Sequence, residues 1–338
     1  MIALLLWIQQ DIEETLRRRP TVEMAVGQER PLKTLLAEIS RQSGMEFEVD
    51  PRLADTRVTL QRGKLGAFEA VHEVLKAHGG ARLLFATFSK SVQVVPASPS
   101  TMPWNDSGPF HHLLTHVQLT RSHSFDRSPE RRLTITLWLA WTPVGAPASL
   151  SPVAVVTEAN DDTGQSLLEK HGPLPKEERL LGKPICAQVA TVRLAYPNGG
   201  AKRIRSLKGY REATFIAETR PVRIEGLEQL PSSSKGGELT VTKLKRGARG
   251  LSAVLEGPRP EGEFTMPDHH QGLSFVDDRG GRYPVRITTS AVAVDRVTVE
   301  VLATDIPENA KIVACESKFV VRWKNWKIPF EFADVELP

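Results

Sequence analysis

The chain has 338 residues, 40% of them hydrophobic and 25% charged, which is ordinary for a soluble globular protein and excludes a largely disordered or collagen-like chain. Its formal net charge of +4 is too small to indicate nucleic-acid binding, and its two cysteines are too few for a disulfide scaffold or a cysteine-rich zinc site. No apolar run reaches the roughly 18 residues of a transmembrane helix, so no transmembrane segment is predicted. The length suggests two or three domains.

Residues 1–20 form an apolar segment that leads into a short predicted helix. Ile2–Ile8 is one apolar block, but no Lys or Arg precedes it and no A-x-A cleavage pattern follows it. Two interpretations stay open: the remnant of a secretory signal, or the apolar start of a helix over Asp11–Arg19. In the second interpretation Asp11 caps the helix and Glu14 completes a capping box.

Residues 21–95 alternate between strand and helix patterns. Two segments have apolar residues three and four positions apart, which predicts helices with one buried face each. These apolar residues are Leu32, Leu35, Leu36 and Ile39 in the first helix and Phe68, Val71, Val74 and Leu75 in the second. Alternating apolar residues around the helices predict strands. The predicted order is β-α-β-β-α-β-β, a small α+β domain.

Within this region the run Pro31–Leu53 (PLKTLLAEISRQSGMEFEVDPRL) resembles the secretin and TonB short N-terminal domain, or STN domain. The segments Arg57–Leu60 (RVTL) and Ala67–Gly80 (AFEAVHEVLKAHGG) follow in the order and spacing of that family. Arg62–Gly66 is more basic than the family pattern, and the residues beyond 95 do not resemble a secretin pore domain. The resemblance implies a docking or assembly module of a bacterial envelope, in the periplasm or at the outer membrane, and not a channel.

A module of this kind needs no catalytic group. Its sheet edges can accept a strand from a partner protein through backbone hydrogen bonds. The alternative is that residues 21–95 form a structural cap on the part of the chain that follows.

The rest of the chain is predicted to be a linker followed by β structure. Residues 96–110 are rich in the turn-favouring set Pro, Ser, Asn, Asp and Gly without periodicity, which predicts a linker. Beyond them, β-like segments recur about every ten residues between Gly, Pro and Asp turns, a pattern typical of β-sandwiches. We therefore predict a multidomain protein in which two tandem immunoglobulin-like sandwiches, 111–232 and 236–338, follow the α+β domain, with a seam near Pro231–Gly237.

A weak internal repeat favours the two-sandwich arrangement. Asp161–Gly164 (DDTG) and Asp277–Gly280 (DDRG) each follow a β-like run and predict a tight turn. Neither turn has the residue spacing of an EF-hand loop, so a hairpin turn is favoured over a calcium site.

Histidines provide the first candidates for chemistry. His111, His112 and His116 form an H-H-x-x-x-H cluster, in which His112 and His116 would share a face and could hold a metal ion together with His123 or Asp126. The cluster lacks the glutamate of the zincin motif, and a polar strand surface is the favoured interpretation.

A predicted loop between Pro267 and Gly272 contains Asp268, His269 and His270, which are residue types that act in hydrolases. No nucleophile motif such as G-x-S-x-G accompanies them. The sequence therefore predicts no catalytic residue, no metal and no cofactor, and a hydrolase with a site near His269 and His270 is a less favoured alternative.

Basic residues concentrate between positions 202 and 249, where 12 basic and 5 acidic residues leave a net charge of +7. Such a segment attracts anionic polymers such as glycans, lipid headgroups or nucleic acid. Aromatic residues for stacking on single strands are few there, so nucleic acid is not the expected partner. The alternative interpretation is that these basic residues lie on an ordinary solvent-exposed surface of a sandwich and bind no partner. The candidate anion-binding residues are Lys202, Arg203, Arg205, Lys208, Arg211, Lys243, Lys245, Arg246 and Arg249.

Cys186 and Cys315 lie in β-like segments of different predicted sandwiches, which favours two free thiols over a bridge between them. The favoured function is protein–protein docking or scaffolding in the cell envelope, without catalysis and without a cofactor. Binding of an anionic polymer through residues 202–249 is the first alternative. The identity of the protein partner and the oligomeric state stay open.

Overall fold

The computed structural model describes residues 12–86, 89–98, 102–124, 127–169, 178–181, 183, 185–197, 199–234, 237–247, 250–259 and 266–338. Strands make up 58% of the described residues and helices 12%, which confirms the predicted mainly-β class. The chain divides into two compact units, Met1–Phe215 with Lys324–Pro338, and Ile216–Trp323. This division lies inside two long strands and differs in position from the predicted seam.

The helices are α1 (Ile12–Arg17), α2 (Leu32–Ser43), α3 (Ala67–His78) and α4 (Met266–His269). The strands are, in chain order, β1 (Thr21–Glu23), β2 (Glu29–Pro31), β3 (Glu46–Val49), β4 (Arg57–Thr59), β5 (Lys64–Gly66), β6 (Ala81–Leu84), β7 (Ser91–Pro96), β8 (Trp104–Ser107), β9 (Phe110–Ser124), β10 (Arg127–Trp141), β11 (Ser149–Leu150), β12 (Val155–Asp161), β13 (Glu178–Arg179), β14 (Ala187–Leu194), β15 (Arg203–Glu225), β16 (Ser232–Ser233), β17 (Thr240–Gly247), β18 (Gly250–Pro258), β19 (His270–Asp277), β20 (Arg282–Val292), β21 (Arg296–Ala303) and β22 (Ile312–Glu336).

The first unit begins with α1 and an α+β region. In this region β3 pairs in parallel with β7, and β7 pairs antiparallel with β6. Two smaller antiparallel pairs, β1 with β5 and β2 with β4, join the segments around the helices. Helices α2 and α3 end at Gly44 and Gly79, whose φ angles of 75° and 71° lie in the left-handed region that glycine adopts without strain.

The α+β region shares its hydrophobic core with a four-stranded sheet of order β14-β10-β9-β8. The helices contribute the buried faces that the sequence predicts, including Leu36 and Val74. The sheet contributes Leu113 of β9, Ala140 of β10 and Ala187 of β14 to the same core. Strand β8 lies within the segment 96–110 that the sequence predicts as a linker, and it pairs with the start of β9.

The other face of this sheet packs against a second layer in the first unit. Strand β15 pairs with β11 and β12 and neighbours β22 in that layer. Leu133 and Ile135 of β10 meet Phe330 and Phe332 of β22 in a second hydrophobic core between the layers. Both faces of β10 therefore pack against hydrophobic cores, and Leu139 and Trp141 enter a further core with α1 and β15. For this reason every side chain from Leu133 to Trp141 is buried or half-buried.

The second unit consists of β strands around one core, with the short helix α4 before β19. Seven of its strands follow the order β22-β19-β20-β21-β18-β17-β16, and each strand pairs antiparallel with the next. The core is filled by alternate residues of the strands, such as Val299 and Val301 of β21 and Leu255 of β18. Strand β20 pairs with β19 through Arg282–Pro284 and with β21 from Val285 onward.

Candidate functional site

The predicted histidine cluster on β9 is split by a β-bulge. Thr136 of β10 pairs with His116 while the next residue, Leu137, pairs with Leu114, so Thr115 is an extra residue. An extra residue shifts the side-chain alternation by one position. His112 is consequently buried against Phe330, with ring centroids 5.4 Å apart, whereas His116 is exposed.

The prediction that His112 and His116 share a face is therefore wrong. The side chain of His123 and the whole of Asp126 lie outside the described residues. Within the described part of the chain, no group of three or more His, Cys, Asp or Glu side chains has an arrangement that could hold a metal ion.

The third histidine of the cluster, His111, belongs to a different constellation. Its Nδ1 lies 2.7 Å from Oδ1 of Asp106 on β8, and its Nε2 lies 3.1 Å from Nε2 of His72 on α3. A carboxylate only accepts hydrogen bonds, so Nδ1 of His111 carries the proton that Asp106 receives. The Nε2 atom of a neutral His111 then offers its lone pair toward His72. We call Asp106, His111 and His72 the Asp–His–His chain.

Ion pairs and aromatic rings hold this chain in place. Arg19 lies 2.6 Å from Oδ2 of Asp106 and 3.1 Å from Glu69. Phe68 stacks on His111 and Trp104 stacks on His72, each with ring centroids 4.7 Å apart. The two rings of the chain are therefore fixed on one face each by an aromatic side chain.

The surroundings of Asp106 and His72 also determine their protonation states. Burial acts to raise the pKa of Asp106, but the hydrogen bond from His111 and the positive charge of Arg19 outweigh it and hold that pKa below its ordinary value. Burial, reinforced by the proximity of His111, lowers the pKa of His72 to about 3. Asp106 is thus ionised and His72 is neutral at physiological pH. Sequence reasoning missed His72 because 39 positions separate it from His111, and no local pattern joins the two.

A second buried polar group lies between the layers of the first unit. The Arg211 guanidinium is fully buried and donates to the carbonyl oxygens of Ser151 and Gln188 and to the side-chain oxygen of Gln188. Burial lowers the pKa of Arg211 to about 9 and holds the pKa of His112 well below its ordinary value. The sequence predicts that Arg211 binds an anionic partner, and this prediction is wrong because the side chain is fully buried and its described hydrogen bonds go to internal acceptors.

The other predicted anion-binding residues are only partly available. Lys208 lies 3.1 Å from Glu331 and 3.8 Å from Glu158, and Arg246 donates to two backbone carbonyls of the loop before β22. Arg249 lies outside the described residues. The remaining candidates, Lys202, Arg203 and Arg205 in the first unit and Lys243 and Lys245 in the second, are exposed. A single basic patch made from both groups stays a prediction.

The histidines proposed for a hydrolase lie where α4 ends and β19 begins, at His269 and His270. His270 and Asp268 are buried, and Nδ1 of His270 lies 2.9 Å from Oγ of the buried Ser317. Burial, with His269 and Arg220 nearby, lowers the pKa of His270 to about 4. A hydroxyl beside an imidazole is the pairing of a nucleophile with its base. Here both partners are buried, and a hydrolase at this place stays a prediction.

The two DD-x-G turns have the same hydrogen bonds. Oδ1 of Asp161 accepts from the backbone of Thr163 and Gln165, and Oδ1 of Asp277 accepts from the backbone of Arg279 and Gly281. Each of these carboxylates therefore closes its own turn, as expected for a hairpin and not for a calcium loop.

Both cysteines are free thiols. Burial raises the pKa of Cys186 to about 11 and that of Cys315 to about 12, so neither is a reactive thiolate at neutral pH. Cys186 lines a surface cleft of about 200 Å³ together with Met45, Trp141 and Ile185. This volume is below the roughly 300–1,000 Å³ of ordinary small-molecule pockets.

Comparison with protein-family models, with curated proteins and with solved structures finds no match for this chain. Among the described helices, none combines the length and apolar character required to cross a bilayer.

Proposed function

We propose that this protein is a non-enzymatic docking or scaffolding component of a bacterial envelope, with an STN-like module at residues 21–95 and immunoglobulin-like sandwiches after it. Support for the module comes from α2 and α3, which occupy the two stretches that resemble the STN helices. Support for the sandwiches comes from cores that are filled between layers of strands in each unit.

The docking role is supported above all by the edge of β20. From Val285 to Val292 this strand pairs with β21 on one side, and no described strand pairs with its other side. Every side chain from Arg286 to Val292 is exposed. An unpaired edge presents a row of backbone donors and acceptors to a partner strand.

Exposed apolar side chains lie beside this unpaired edge. Ile287 pairs with Val301, and Val292 pairs with Val297, and both partners are buried in the core of the second unit. Directly paired residues lie on the same face of a sheet. Ile287 and Val292 therefore extend the inner apolar face, yet they are 47% and 62% exposed, and Val294 at the hairpin tip is 92% exposed.

An extended segment of a partner protein with apolar side chains at alternate positions fits this surface. Its backbone would continue the sheet beyond β20, and its apolar side chains would cover Ile287 and Val292. In this arrangement residues 21–95 serve as the cap of the first unit, because they share a core with β9, β10 and β14.

Site-specific photocrosslinking in the cells that make the protein tests the proposal. A photoreactive phenylalanine analogue replaces Val292, and in a matched variant it replaces Val144, which is 59% exposed in the first unit. We expect one discrete adduct with an envelope protein from position 292, lost when Ile287 is changed to Asp, and none from position 144. Absence of an adduct at 292, or the same adduct at both positions, would refute docking at β20.

A further inference from the structure

The Asp–His–His chain places two imidazole nitrogens where one metal ion could bind both. Zinc binds histidine nitrogen at about 2.0–2.1 Å, so two nitrogens on one ion at angles of roughly 90–110° are roughly 2.9–3.4 Å apart. The Nε2 atoms of His72 and His111 are 3.1 Å apart. Their separation is therefore that of two ligands of a single ion.

The orientation of the rings supports the same conclusion. If both nitrogens point at one ion, their separation implies ring centroids roughly 4.8 Å apart, whereas a collinear N–H···N bond of equal length implies roughly 5.4 Å. The observed distance between the centroids is 4.9 Å, with an angle of 42° between the ring planes. The observed spacing of the rings is therefore close to the spacing expected when both nitrogens bind one ion.

The neighbours of the rings prepare them for binding. A carboxylate that accepts from the Nδ1–H of a histidine fixes its tautomer and directs Nε2 to the metal, as Asp106 does for His111. Trp104, stacked on His72, is 38% exposed and His72 itself is half-buried, so this side of the pair lies close to the protein surface.

We propose that His72 and His111 bind one divalent ion of the imidazole-preferring class, of which Zn²⁺ is the probe, with water completing its coordination and Asp106 acting as a positioning residue. On binding, the proton shared between the two Nε2 atoms moves to Nδ1 of His72, so each ring offers one lone pair and no net proton is released. The ion links α3 to β9 and ties the α+β region to the four-stranded sheet.

Zinc titration of the full chain, followed by calorimetry and by nitrogen NMR of the histidine rings, tests this proposal. We expect one ion per chain and large shifts of the Nε2 signals of His72 and His111. His72→Ala should lower the affinity at least tenfold, and Asp106→Asn roughly 10–100-fold, the range found for partners that orient a ligand. His116→Ala, which removes an exposed histidine of β9, should bind zinc like the wild type.

The NMR signals of the histidine rings are measured on the wild-type chain, so they test the proposal even if a substitution disturbs folding. Zinc that shifts neither His72 nor His111, or that binds His72→Ala as tightly as the wild type, would overturn the proposal. Binding retained in both variants but lost in His116→Ala would place the ion on the exposed histidine.

Discussion

Single carboxylates hold the turns of both units. Asp277 receives the Tyr283 hydroxyl at 2.7 Å and the Gly281 backbone N–H at 2.6 Å. These donors favour the ionised form, and the Tyr283 hydroxyl is the main reason why the pKa of Asp277 is below its ordinary value. A carboxyl group whose pKa is lower in the folded state than in the unfolded state stabilises the fold only while it is ionised.

This linkage predicts a pH-dependent effect of Asp277→Asn. The stabilisation is fully present above the unfolded pKa and is lost as the pH falls through the lower, folded pKa. The urea midpoint of the variant should therefore be below that of the wild type at about pH 7, and the difference should shrink toward about pH 3. Asp278→Asn, at the exposed neighbour in the same turn, is the control and should show no such convergence. A difference that stays constant with pH would contradict the role given to the Asp277 charge.

At the scale of the elements, the long strand β15 contains a glycine at a point where its neighbouring strands approach it closely. Gly209 of β15 lies so close to β12 and β22 that an added Cβ would be 2.2 Å from the carbonyl oxygen of Val155 and 2.6 Å from the Phe330 ring. A glycine inside a strand often marks such a close approach of neighbours.

Gly209→Ala should therefore destabilise the protein by about 1–3 kcal/mol, the usual cost of overpacking. The matched control is Gly247→Ala at the end of β17, where an added Cβ meets no atom within 4 Å. Chemical denaturation of both variants measures the difference in the free energy of unfolding. Equal stability of the two variants would show that β12 and β22 can move apart at no cost.

The same elements show what the sequence can and cannot predict. The stripes Leu32–Ile39 and Phe68–Leu75 predict α2 and α3 because a helical repeat is a local property that one buried face imposes. The bulge at Thr115 moves the His116 side chain to the opposite face of the sheet. The alternation of apolar and polar residues along a strand does not indicate where such an extra residue is inserted. The pairing of His72 with His111 depends on how α3 packs on β9, which is a long-range contact without a local signal.

At the scale of the whole molecule, the core shared by residues 21–95 and the four-stranded sheet determines whether these residues unfold independently. A separate α+β domain joined by a linker would have a core of its own and unfold by itself. Here Leu113, Ala140 and Ala187 of the sheet belong to the same core as α2 and α3. Strand β8, which lies in the predicted linker region, also pairs with the sheet through Trp104–Ser107. We therefore expect the α+β region and the β14-β10-β9-β8 sheet to unfold together.

Leu36→Ala tests this cooperativity. Leu36 is fully buried on α2, and truncating such a leucine leaves a cavity that costs about 2–5 kcal/mol. Hydrogen exchange should show the same loss of protection for amides of α3 and for amides of β9, because one shared core supports both. Lys33→Ala, at an exposed position of the same helix, should change neither set. Loss of protection confined to α2 and α3, with β9 unchanged, would instead show that residues 21–96 open as an independent domain and that the shared core adds little to the stability of the sheet.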